Sequence, residues 1–73
     1  RSERVFSERR LGEMKRELEQ AEDRLQNFRQ SNRTFLSSSE LRVYEQRLDR
    51  EVSLRSRLYA ALAEAFEQSR VDE

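Results

Sequence analysis

Residues 32–41 read NRTFLSSSEL, and the fold turns on them. On both sides apolar residues recur every three or four positions, as on one face of a helix. Within this stretch the recurrence stops. Ser37 followed three residues later by Glu40 has the form of a capping box, in which the hydroxyl accepts from the backbone at Glu40 and the carboxylate reaches back. Leu36 and Leu41 flank it at the spacing of a hydrophobic staple. The stretch therefore predicts one helix ending and a second beginning. Capping also accounts for the serine run (Ser37 to Ser39) without a nucleophile or a modification site.

Upstream, Leu11, Met14, Leu18, Ala21, Leu25 and Phe28 are spaced alternately three and four apart. This heptad seam turns one face of a helix toward a partner helix. The residues between them are charged or amidated, as a solvated face requires. Arg9 with Glu13, and Lys15 with Glu19, have the i,i+4 spacing of helical ion pairs. Gly12 is expected to be a tolerated surface glycine, with a kink or a close approach as the alternative.

Downstream, a seam passes through Leu41, Tyr44, Leu48, Val52, Arg55, Tyr59, Leu62 and Phe66. A second stripe of Leu54, Leu58, Ala61 and Ala65 runs beside it at the same helical spacing. Adjacent residues lie about 100° apart around a helix axis, so one partner helix cannot cover both stripes. The second stripe is expected to face a neighbouring subunit or another domain.

These patterns predict an all-α fold: an elongated, coiled-coil-like antiparallel hairpin that self-associates. The expected bounds are a helix over about 3–31, a loop over about 32–37 and a helix over about 38–70. In the antiparallel register set by the turn, Leu25 faces Leu48, Ala21 faces Val52, Met14 faces Tyr59 and Leu11 faces Leu62. Leu18 then faces the aliphatic stem of Arg55, whose charged end reaches outward.

Composition agrees with this and removes classes of function. Of 73 residues, 34% are hydrophobic and 41% charged, with no proline and one glycine, so a thick core is out of reach while helix is favoured. Disorder competes at such low hydrophobicity, but balanced charge and periodic apolar residues argue against it. Without Cys or His there is no thiol nucleophile, zinc site or imidazole base. The carboxylates lie on solvated faces, and no glycine-rich phosphate loop occurs. No catalytic, cofactor-binding or metal-binding residue is expected, and no enzyme. Fifteen basic residues are interleaved with fifteen acidic ones, which cancels attraction to a nucleic-acid backbone. No apolar run approaches the roughly 20 residues that span a bilayer. The charged ends read as those of a piece cut from a longer protein.

From Phe28 onward the residues resemble the end of the periplasmic region of bacterial polysaccharide co-polymerases, the Wzz-type chain-length determinants. The resemblance is carried by Leu48, Arg50-Glu51-Val52, Leu58-Tyr59, Leu62 and Glu67-Gln68-Ser69-Arg70-Val71. The family's usual ending has Ala where Ser69 stands and Ile where Val71 stands. The stretch RRLGEMKRELEQAEDRLQNFRQSN, residues 9–32, is similar to the long helix that precedes this region, so the likeness covers nearly the whole chain.

The resemblance implies a module on the periplasmic side of the inner membrane, anchored by membrane helices outside residues 1–73. Several copies would assemble side by side and set how long a surface polysaccharide grows. The polymerase or its glycan product would be further partners, with the polymerase doing the chemistry. Some relatives work with a cytoplasmic tyrosine kinase, of which no motif occurs here. Two alternatives share the heptads: the hairpin of a periplasmic secretion or efflux adaptor, and a cytoplasmic coiled-coil scaffold.

Overall fold

The computed structural model describes residues 2–33 and 38–72, with the side chains of 7–33 and 38–70. It is all-helical among these residues. Helix α1 spans Ser2–Ser31 and α2 spans Ser39–Asp72. They pack side by side as a hairpin 53 Å long and 14 by 13 Å across. A width of two helices leaves no third layer, so each helix can bury only the face it turns to the other.

The ends of the helices are closed by the residues that interrupt the heptads. At the end of α1 the Asn32 backbone N–H donates to the Phe28 carbonyl at 3.0 Å, and the Asn32 side-chain amide donates to the same oxygen at 2.8 Å. The Phe28 carbonyl thus accepts from both the backbone and the side chain of Asn32 at the last turn. At the start of α2 the Ser38 Oγ accepts from the Leu41 N–H at 3.4 Å, and the Ser38 carbonyl accepts from the Arg42 N–H at 3.0 Å. Ser38 is therefore the cap, and Glu40 lies in the first turn, where the helix dipole favours an acid. Ser37 and Leu36, the expected cap and staple partner, lie outside the described residues, as does the turn itself.

Three contacts across the hairpin report its register. The rings of Phe28 and Tyr44 meet with centroids 5.0 Å apart. The Arg29 Nε donates to Glu45 at 2.9 Å, and the Arg55 Nη1 donates to Glu17 at 3.0 Å. Each contact lies within one residue of the register in which Leu25 faces Leu48. Cysteines replacing Ala21 and Val52 are thus expected to be joined by a short thiol crosslinker within one chain. Crosslinks found only between chains would show an exchanged hairpin instead.

The core is thin. Among the described residues, Ala21 at 1% and Leu25 at 7% exposure are the buried hydrophobic ones. Leu11, Met14, Leu18, Phe28, Leu48, Val52, Tyr59, Leu62 and Phe66 are half-buried along the seam. The small side chain of Ala21 is almost wholly covered within the hairpin. Leu25, one turn on, is buried on the same face.

Tyr44 departs from the expected seam: it is 50% exposed. The half-buried positions of α2 include 41, 45, 48, 52, 55, 59, 62 and 66, an unbroken alternation of four and three, with 51 and 63 beside it. That alternation turns residue 45 inward and carries Tyr44 to the flank, where only part of its ring reaches Phe28. A carboxylate at a half-buried place is tolerated because Arg29 meets it from the facing helix.

Candidate interaction surface

The flanks of the seam carry two ionic clamps. On one flank the Arg55 guanidinium bridges Glu51 of its own helix, at 2.6 Å, and Glu17 of α1, at 3.0 Å. On the other, Arg29 meets Glu45 at 2.9 Å and Asp49 at 3.9 Å. Arg55 is half-buried at a seam position while its charged end reaches the carboxylates of Glu51 and Glu17. These side chains remain about a third or more exposed apart from Glu45, so each pair contributes at most about 1 kcal/mol. Their value lies in register, because sliding one helix by a turn would part both clamps.

Glu13 is met by Arg10, three residues away at 3.2 Å, rather than by Arg9. Arg10 also reaches Glu17 at 3.7 Å, so one guanidinium sits between two carboxylates. Among the described residues no ion pair joins Lys15 to Glu19. On a fully solvated face such a pair barely offsets the entropy lost by two long side chains.

Gly12 lies within a continuous α1. A Cβ placed on it would meet only the far end of the Arg16 side chain, at 3.7 Å. Within the hairpin no backbone crosses over this glycine. It is neither a kink nor a contact point between α1 and α2.

The second stripe of α2 stays uncovered. Leu54 and Leu58 are each 46% exposed, and Ala61 and Ala65 are exposed beside them. Tyr44 joins this stripe, because 44, 47, 51, 54, 58, 61 and 65 alternate by three and four. The exposed face is therefore a second seam with Arg47 and Glu51 set into it. Of the residues that carry the polysaccharide co-polymerase resemblance, Leu58 lies on this face and Tyr59 faces α1. Glu67, Gln68 and Arg70 are exposed near the end of α2, with Arg70 paired to Glu67 at 3.3 Å. The side chain of Val71 lies outside those described.

The clamps are what a reading of periodicity missed. Their signal was present, since fixing Leu25 opposite Leu48 already puts Glu17 beside the residue that faces Arg55. Among the described residues one shallow open groove lies beside Ser39, Val43 and Tyr44, and another beside Glu22, Gln26 and Arg29. Among the described residues no helix is long and apolar enough to cross a membrane. Comparison with family models, curated proteins and solved structures finds no match to the chain.

Proposed function

We propose that the chain is a non-enzymatic assembly module, a helical hairpin that associates with further copies of itself. The observation that carries this reading is the second seam of α2, which α1 leaves uncovered. Scattered single apolar residues are ordinary on a protein surface. A continuous helical row of them, ending in small alanines that admit a neighbouring backbone, is the pattern of a contact face. A two-helix core with so little buried also gains from association, because a partner that binds only the folded form stabilises it by mass action.

The finer reading rests on the residues that resemble the polysaccharide co-polymerases, above all Leu58-Tyr59 and Glu67 through Val71. On that reading the module stands on the periplasmic side of a bacterial inner membrane, held there by segments other than residues 1–73. Copies side by side regulate the chain length of a surface polysaccharide, and the polymerase or its glycan is the outer partner.

Association is tested by the melting temperature of the 73-residue chain, which is expected to rise with protein concentration. A melt that stays constant over about a hundredfold dilution, together with a monomeric mass in sedimentation, would overturn the assembly reading.

A further inference from the structure

We infer that two copies of this chain pair along α2, running in opposite directions about a two-fold axis, with Leu54 and Leu58 of each copy set on Ala65 and Ala61 of the other. The inference rests on the assembly reading and not on the polysaccharide one. It specifies which residues meet and which way the chains run.

The uncovered row sets large side chains before small ones. Leu54 and Leu58 come first, each 46% exposed, and the exposed Ala61 and Ala65 follow. A second copy laid on the row in reverse brings each leucine over an alanine, so the two uneven rows interdigitate. Such a contact is isologous, the commonest symmetry of a two-chain assembly. On the edge of the row away from α1, Arg57 and Glu64 stand one residue before Leu58 and Ala65, and both are exposed. In this register Arg57 of each copy comes beside Glu64 of the other, giving two pairs of opposite charge. Among the described residues, neither has an ion-pair or hydrogen-bond partner within its own chain. At each end of the contact the Gln68 amide faces the Glu51 carboxylate, to which it can donate.

Charge selects this register over its neighbours. One heptad to one side, Leu54 faces Leu58 but Arg57 faces the Arg57 of the other copy. One heptad to the other side, Ala61 faces Ala65 but Glu64 faces its own counterpart. Parallel chains would set Arg50 against Arg55. The flank of α1 agrees, independently of the row. Arg55 joins Glu51 to Glu17, so Glu17 and the Arg10 that reaches it share the side of the hairpin that the row faces. The midpoint of the α2 pairing falls between Tyr59 and Ala60, level in the hairpin register with Glu13 and Met14. Arg10 and Glu17 stand equally far to either side of that midpoint. Arg10 of each copy therefore comes level with Glu17 of the other. The two α1 helices stand farther apart than the two α2 helices, a gap that side chains of this length can span. Glu13, nearest the axis, is held by Arg10 at 3.2 Å.

The experiment is charge reversal followed by sedimentation equilibrium on the 73-residue chain, with helicity checked by circular dichroism. Arg57→Glu and Glu64→Arg are each expected to weaken association about tenfold, because each turns two attractive pairs into repulsive ones. An equal mixture of the two variants is expected to restore it to within about threefold, since pairs between the unlike chains are again opposite in charge. Direction is read from introduced cysteines, the chain having none of its own. A mixture of Leu54→Cys and Ala65→Cys chains is expected to form the mixed disulfide on mild oxidation, while neither chain alone joins to itself. Two results would overturn the pairing while leaving self-assembly intact. One is association indifferent to both charge reversals; the other is either cysteine chain crosslinking to itself, which marks parallel copies standing level. A wild-type chain that stays monomeric would overturn the pairing and the assembly reading together.

Discussion

Truncating Leu25 to alanine is expected to cost roughly 2–4 kcal/mol and to leave little or none of the dilute chain folded. Leu25 and Ala21 are the buried hydrophobic residues among those described, and Ala21 has nothing further to lose by truncation. Removing the isobutyl group leaves a gap between two helices that meet along a single seam. No second layer can collapse into it, so the loss is expected near the upper end of that range. The same truncation at Leu48, half-buried across the seam, is expected to cost less, because water already reaches part of its surface. Thermal melts followed by circular dichroism at low concentration check both. A Leu25→Ala chain that melts within a few degrees of the parent chain would mean that the seam does not hold the hairpin together.

Placing glutamate at Leu58 or Ala61 is expected to do the reverse, leaving the hairpin folded and abolishing its assembly. Neither side chain is covered by α1, so a charge there costs the isolated hairpin little. At a packed contact the same charge must lose its water without gaining a partner, at a cost of several kcal/mol. Sedimentation should show monomers while the circular dichroism spectrum keeps its helical form. If the polysaccharide reading is right, the full-length protein carrying either change should also produce an altered distribution of surface-polysaccharide lengths. Unchanged mass and unchanged length distribution in both variants would reduce the row to ordinary surface.

The two effects separate because the two seams of α2 obey different physical demands. The inner seam was legible from spacing alone. Leu11 through Phe28 repeat with a helical period, and the short serine-rich interruption before the second seam pointed to an antiparallel hairpin. Tyr44 shows where that reading failed. An aromatic three residues after Leu41 satisfies a heptad as well as a residue four after it does, and hydrophobicity favoured the tyrosine. The backbone instead kept the alternation that leads to Leu48 and Val52, turning Glu45 inward to Arg29. Periodicity read from side-chain type alone has no means to rank an apolar residue against a paired carboxylate.

The choice of cap was ambiguous for a related reason. The spacing of Ser37 to Glu40 read as a capping box at Ser37, yet three consecutive serines can each accept from a backbone N–H two or three residues on. The capping bond that the structure describes comes from Ser38. The clamps were hidden by their nature, since pairs such as Arg55 with Glu17, 38 residues apart, become neighbours only after the register is set. Once Leu25 is placed opposite Leu48, their positions follow from counting.

The uneven placement of the buried residues along this rod has a mechanical consequence. Among the described residues Ala21 and Leu25, the buried hydrophobic ones, sit nearer the turn, and the seam from Leu18 to Leu11 and from Tyr59 to Phe66 is half-buried. The chain ends stand about 30 Å past this rivet, at 1.5 Å per residue. Such a molecule is expected to act as a pair of tongs, stiff beside the buried pair and more compliant away from it. Backbone amides in the early turns of α1 and the late turns of α2 should therefore exchange with solvent fastest, opening ahead of global unfolding. The gap between the tips would then be set less by the hairpin than by whatever grips it. A neighbour bound along Leu58, Ala61 and Ala65 would hold the compliant half of α2 and so fix the spacing of the two ends.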